Sequence, residues 1–169
     1  MSDCCTSTAN CTNCCAVPAV ENEQERVAEY CPSCGKKGRA VDIQTVKSLL
    51  AVSLHLLQAE DYRFCSNQTC PIVYFSSDGS EQYRETELRE QVYQKHPGDK
   101  DVFVCYCFRH TPNTIHTELR EEGESTVVNE IKIGIKMGRC ACDIRNPQGS
   151  CCLGNIMNVI KQWQDGTGI

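Results

Sequence analysis

Apolar positions in this chain fall into short clusters divided by polar, glycine- and proline-marked stretches. Val46, Leu49, Leu50 and Leu54 recur at helical spacing and predict a helix over residues 45–54. Two β-rich runs, 62–64 and 72–75, flank a turn, and Ser77-Asp78-Gly79 opens a predicted hairpin. A short helix is expected over 87–93. Proline, glycine and charge between His96 and Asp101 mark a boundary. Thr111 followed by Pro112 starts a helix over 112–121, because threonine caps and proline suits the first turn. The stretch 125–139 carries two periods. Val127, Val128, Ile131 and Ile135 fit a helix, whereas Ile131, Ile133 and Ile135 alternate like a strand; the helix is favoured. Leu153, Ile156, Met157, Ile160 and Trp163 form one stripe, which predicts a final helix packed on the core through that stripe and capped by Ser150.

The pattern predicts an α+β protein of two small units, residues 28–96 (compact over 30–92) and 97–169. Residues 1–27 precede them. They are Ser-, Thr-, Asn- and Cys-rich without periodicity, and are expected to form a flexible tail.

Charge and hydropathy narrow the partners. A net charge of −5 without a basic run excludes a nucleic-acid-binding face. No apolar stretch approaches the roughly 20 residues of a membrane span. The opening MSDCCTSTANCTNCC has neither a basic nor an apolar segment of a leader, so a cytoplasmic location is expected. No nucleophile–base pair, phosphate loop or catalytic pair of carboxylates is recognisable, and a carrier is expected rather than an enzyme.

Cysteine changes the picture most. There are 15 in 169 residues. The odd count, the absence of an export signal and the tight pairing favour metal ligation over disulfides. Cys31-Pro-Ser-Cys34-Gly35 has the form of a zinc knuckle. Two intervening residues let both sulfurs reach one ion at about 2.3 Å, and glycine permits the turn. Cys65 and Cys70 would complete the site at the wider spacing C-x4-C. A divalent ion with four thiolates carries two excess negative charges, which Lys36, Lys37 and Arg39 are expected to soften. Gly35-Lys36-Lys37-Gly38 is no helix start, which argues against a thioredoxin-type redox pair.

Downstream, Cys105-Tyr-Cys107, Cys140-Ala-Cys142 and Cys151-Cys152 offer six sulfurs on loops that enter helices. A 2Fe-2S cluster takes four thiolates, two per iron. Helix N-termini favour its negative charge, and Arg109, Arg139 and Arg145 flank the loops. Spacing leaves open which four bind, and leaves a second zinc site as the alternative. His110 is placed to hydrogen-bond near the cluster. His55 reads as a packed core residue, and His96 and His116 as surface residues.

The segments CPSCGKKG, YRFCSNQTCPIVYF, VCYCFRHT and CDIRNPQGSCC, in that order, resemble the N-terminal metal domain of the CopZ-type metallochaperones. The resemblance covers about residues 31–153. It implies a zinc-ribbon-like first unit with ligands drawn from Cys31, Cys34, Cys65 and Cys70. It also implies a helical 2Fe-2S unit, similar to the bacterioferritin-associated ferredoxins, with ligands Cys105, Cys107, Cys142 and Cys152. Cys140 and Cys151 are then surplus. Full-length members carry a further heavy-metal domain with a C-x-x-C copper motif, and none is expected in this chain. The tail thiols Cys4, Cys5, Cys11, Cys14 and Cys15 are candidate ligands for a soft ion such as Cu(I).

The expected function is soft-metal handling, copper first, coupled to a one-electron centre. A metal-transporting ATPase or other acceptor and an electron-donating reductase are the implied partners. A ferredoxin-like electron carrier without cargo, or a metal- or redox-sensing binding module, are the alternatives. The two centres, lying in separate units, are expected to lose their metals independently.

Overall fold

A computed structural model describes residues 29–166. The fold is α+β. Four short strands, β1 (Arg39–Val41), β2 (Tyr62–Phe64), β3 (Ile72–Ser76) and β4 (Gln82–Arg84), form an antiparallel meander in that order. Arg39 pairs with Phe64, Tyr62 with Ser76, and Tyr74 with Tyr83. The register slips between Ile72 and Tyr74, as at a bulge. Every residue of β3 is buried. Val73 and Tyr74 join the main core with Val46, Leu50, Tyr62, Phe64 and Val92. Ile72 and Phe75 instead pack among Cys31, Cys65 and Cys70. Gly79, at φ +75°, turns β3 into β4 as the Ser-Asp-Gly signal predicts.

Helix α1 (Ile43–Leu49) begins earlier and ends earlier than its apolar spacing predicts. Asp42 caps it by accepting from the Gln44 N–H. The chain turns extended at Leu50, which bridges Leu88 and is fully buried. A 3-10 turn, Leu54–Leu56, follows on the surface, so His55 is exposed rather than packed in the core. No helix forms over 87–93. Two 3-10 turns, Glu85–Glu87 and Tyr93–Lys95, flank an extended stretch held by the Leu88 bridge and by Glu85, which accepts from the Val92 N–H. His96 is half-buried against Glu85 at 2.8 Å, not a free surface residue.

Helix α2 (Pro112–Glu122) starts as its capping signal predicts. The Thr111 hydroxyl accepts from the Thr114 N–H, and Gly123 closes the helix in the left-handed region. Helix α3 (Val127–Lys136) resolves the double period in favour of helix, burying Val127, Ile131 and Gly134 while Ile133 and Ile135 stay exposed. A short helix α4 (Cys142–Arg145) and helix α5 (Leu153–Gln164) complete the elements of the described residues. In α5 the predicted stripe holds except at Met157: Leu153, Ile156, Ile160 and Trp163 pack on the core together with Val159, whereas Met157 is 56% exposed. Cys152, not Ser150, occupies the N-cap position. Helices α2, α3 and α5 share a core built on Val104, Ile115, Ile131 and Ile156. His116 stacks on Trp163, ring centroids 4.9 Å apart. No helix among the described residues is long and apolar enough to cross a membrane.

Gly134 is required where Phe108 crosses α3, because a Cβ there would collide with the Phe108 ring. Alanine gains up to about 1 kcal/mol of helix propensity, but overpacking costs about 1–3 kcal/mol. Gly134→Ala is therefore expected to lower stability by about 1 kcal/mol. Chemical denaturation of the two proteins side by side checks this; a more stable variant would contradict the packing.

Two parts of the chain meet at the loop 143–149. Helix α4 lies against α1. The Thr45 hydroxyl donates to the Asp143 carbonyl and Ser48 to the Ile144 carbonyl, at 2.7 Å in the latter case. The Tyr74 hydroxyl donates to the Pro147 carbonyl at 2.6 Å, and Arg39 to that of Gln148. Gly149, at φ +65°, touches Val41 and Thr45 so closely that a Cβ would stand 2.7 Å from a Val41 methyl.

Candidate metal centres

The first thiol set is built on two turns. After Cys31 the chain folds back: the Gly35 N–H donates to the Cys31 carbonyl and the Cys31 N–H to that of Lys36, both at 2.8 Å. Gly35 sits at φ +66°, which a side chain would strain. The second turn, Cys65 to Cys70, leads from β2 into β3, and its Cys65 N–H donates to the Val73 carbonyl at 2.8 Å. Together the turns bring the sulfurs of Cys31, Cys34, Cys65 and Cys70 within 4.8 Å of one another. Cys31–Cys70 and Cys34–Cys65 are 3.8 and 3.6 Å apart. A tetrahedron with bonds of about 2.3 Å has edges of about 3.8 Å. The set therefore has the size of a single-ion site.

Its charges are divided as crowded thiols require. Burial pushes the Cys31 thiol up, and Cys65 up to about 12. Burial also acts on Cys34, but the Lys36 N–H, the Asn67 side chain and the neighbouring thiols outweigh it and bring Cys34 down to about 6. Four thiolates cannot share this space without a cation, which a divalent ion supplies. The expected cations are mostly engaged elsewhere. Lys37 pairs with Glu29, and Arg39 reaches the Gln148 carbonyl. Lys36 stays near through Asn67. Lys95, which the sequence did not single out, donates to the Asn67 and Ile72 carbonyls at 2.8 Å and favours the Cys65 thiolate. No local pattern marks it, since it arrives from a turn after β4.

The second set lies where the 105–107 turn meets α4 and the start of α5. Cys107 and Cys142 are 3.7 Å apart, and the Ala141 N–H donates to the Cys107 sulfur at 3.3 Å. Hydrogen bonds from Cys152 lower the Cys105 thiol to about 7 and the Cys142 thiol to about 6, against burial. The cost falls on Cys152, pushed far up by those same contacts with Cys105 and Cys142, and on Cys107, raised by burial to about 12. Cys105, Cys107, Cys142 and Cys152 thus converge. Unlike the first set, they do not all lie within 4.8 Å: among the described residues no second group of three or more His, Cys, Asp or Glu does. Cys140 is half-buried beside Cys142, and Cys151 is exposed.

The flanking charges differ from expectation. Arg109 turns away: it pairs with Glu90 at 3.2 Å and lies 4.0 Å over the Phe103 ring. Arg139 and Arg145 are exposed. The His110 ring faces Glu130 at 3.4 Å; only its carbonyl approaches the set, accepting from the Cys105 N–H at 3.1 Å. Among the described residues all ten cysteines are free thiols. The tail thiols Cys4, Cys5, Cys11, Cys14 and Cys15 lie outside the described residues.

Residues 28–89, which hold the whole first set, match the zf_CopZ family, described as a zinc binding domain. The copper chaperone CopZ of Archaeoglobus fulgidus is 32% identical over 122 residues, covering 72% of this chain and 57% of that protein. The X-ray structure of the Archaeoglobus fulgidus CopZ N-terminal domain matches with a TM-score of 0.64 at 28% identity, over 77% of this chain and 96% of that one. All three likenesses point to the CopZ-type family, whose zinc binding domain residues 28–89 match. The chain spans 57% of the length of the curated relative it matches.

Proposed function

We propose that the chain handles a soft metal, copper being the proposed cargo, with one structural zinc at Cys31, Cys34, Cys65 and Cys70 and one 2Fe-2S cluster at Cys105, Cys107, Cys142 and Cys152. The carrying observation is the difference in size between the two thiol sets. Four mutually close sulfurs suit one ion. The second set has one edge of 3.7 Å yet spreads beyond 4.8 Å, which suits a centre of two metals, each holding two of the thiolates. Such a cluster, when bound, supplies one-electron chemistry, appropriate to a cargo carried as Cu(I). The chain's own contribution is electrostatic. N–H groups of Ala141, Phe108 and Cys152 face these sulfurs, and burial of Cys105 and Cys152 keeps water away.

Copper as cargo is supported by the relative described as a copper chaperone. A metal-transporting ATPase as acceptor and a reductase as electron donor are proposed partners. Free thiols suit a reducing compartment such as the cytoplasm. The tail cysteines are the proposed capture site for the cargo. Anaerobically purified protein is expected to contain about two irons, two acid-labile sulfides and one zinc per chain. Two zincs and no sulfide, in protein from iron-replete cells, would sink the cluster. Deleting residues 1–20 is expected to leave these contents unchanged and to weaken Cu(I) binding in competition with a coloured chelator. Unchanged Cu(I) affinity and stoichiometry would remove the tail from the proposal and favour a ferredoxin-like carrier.

A further inference from the structure

The loop that joins Cys142 to Cys152 is not held by its own unit alone. Its internal bonds run from Asn146 to the Ser150 carbonyl at 2.7 Å and from the Gln148 side chain to the Cys151 carbonyl at 3.1 Å. Four further carbonyls, those of Asp143, Ile144, Pro147 and Gln148, accept from Thr45, Ser48, Tyr74 and Arg39 respectively. All four donors stand on α1 or the sheet. Tyr74 and Thr45 are fully buried, so in the folded chain these hydroxyls are satisfied by the loop carbonyls and not by water. Both donors stand close along the chain to the first thiol set. Tyr74 lies four residues after Cys70, and its neighbour Val73 is bonded to Cys65. Thr45 follows β1, which begins five residues after Cys34.

We propose that Thr45 and Tyr74 are positioning residues for the second thiol set, and that metal at Cys31, Cys34, Cys65 and Cys70 protects Cys142 and Cys152 by keeping the sheet that carries them in place. The inference rests on the proposed metal assignment, yet it concerns the loop itself and can be read without iron. Coupling of this kind is reciprocal: whatever tightens docking of the loop through metal at the first set is matched by an equal gain in affinity of that set for its metal when the loop is docked.

The test uses the full chain, with Thr45→Val plus Tyr74→Phe, which remove two hydroxyls while keeping shape. Thr45→Ser restores a hydroxyl. Tyr83→Phe is the control, removing a hydroxyl of the same core that serves Glu81 instead of the loop. In protein carrying both centres, iron release to a chelator is expected to accelerate about tenfold per lost bond in the double variant. Thr45→Ser and Tyr83→Phe should match the parent, with zinc retained throughout. In zinc-bound protein lacking iron, maleimide labelling of Cys142 and Cys152, read by mass spectrometry, should accelerate in the same order. Stripping zinc from the parent should raise labelling as the double substitution does, and should add little to the double variant. Labelling equal to the parent in the double variant, or equal acceleration in Tyr83→Phe, would overturn the proposal. Should no variant, the parent included, take up iron while labelling follows the expected order, positioning stands and the cluster assignment falls.

Discussion

Replacing Cys31 with alanine is expected to abolish zinc binding and to unfold the sheet around it. Cys31 is 1% exposed and has Cys70 at 3.8 Å. Its turn leads into the 3-residue strand β1, which pairs with β2. The core of this part is small, and a structural zinc contributes of order 10 kcal/mol or more to folding. That matches the entire stability of an ordinary domain, about 5–15 kcal/mol. The loss is therefore not of the scale of an ordinary core substitution, at about 2–5 kcal/mol. Removing one thiolate also leaves Cys34, Cys65 and Cys70 crowded without a full ligand set. Zinc content by mass spectrometry and limited proteolysis of residues 29–96 report the outcome. A variant that keeps its fold and resists protease as the parent does would show that the thiols are ordinary core residues.

The second large effect separates adjacent cysteines. Cys152→Ala is expected to remove essentially all iron and sulfide, whereas Cys151→Ser should retain them. Cys152 is 1% exposed and stands between Cys105 and Cys142 at the N-cap of α5. Cys151 is exposed, and its carbonyl accepts from Gln148. An exposed polar replacement away from such features usually changes stability by less than about 0.5 kcal/mol. Cys140→Ser should resemble Cys151→Ser, although its half-buried thiol lies beside Cys142. Iron and sulfide content with the visible absorption spectrum decides the matter. Equal loss from Cys151→Ser and Cys152→Ala would overturn the ligand choice.

The helix start at Thr111-Pro112, the knuckle closed by Gly35 and the Ser-Asp-Gly hairpin were all legible, because each rests on residues within four positions of one another. A cap, a left-handed glycine and a chelating turn carry their chemistry locally. The cysteine pairs likewise marked the turns that present thiols, and the family resemblance grouped them into two sets. Strand β1 was not legible, since Arg39–Val41 has no alternation of its own and exists only through pairing with β2. The end of α1 was set by the Leu50–Leu88 bridge, across 38 residues, and not by any stop signal near Leu50. The face of α5 was settled by which neighbours enclose it: periodicity admits Met157 or Val159, and packing on α2 and α3 buries only the latter. Cations followed the same rule, as Lys95 reached the first set from afar while Arg109 was taken by Glu90 and Phe103. The sequence by itself thus determined which turns present thiols, through short-range stereochemistry. The tertiary structure alone decided how closely the thiols of each set approach, which charges attend them and that Tyr74 grips the Cys142–Cys152 loop, because each of those contacts joins residues far apart in the chain whose geometry no local pattern gives.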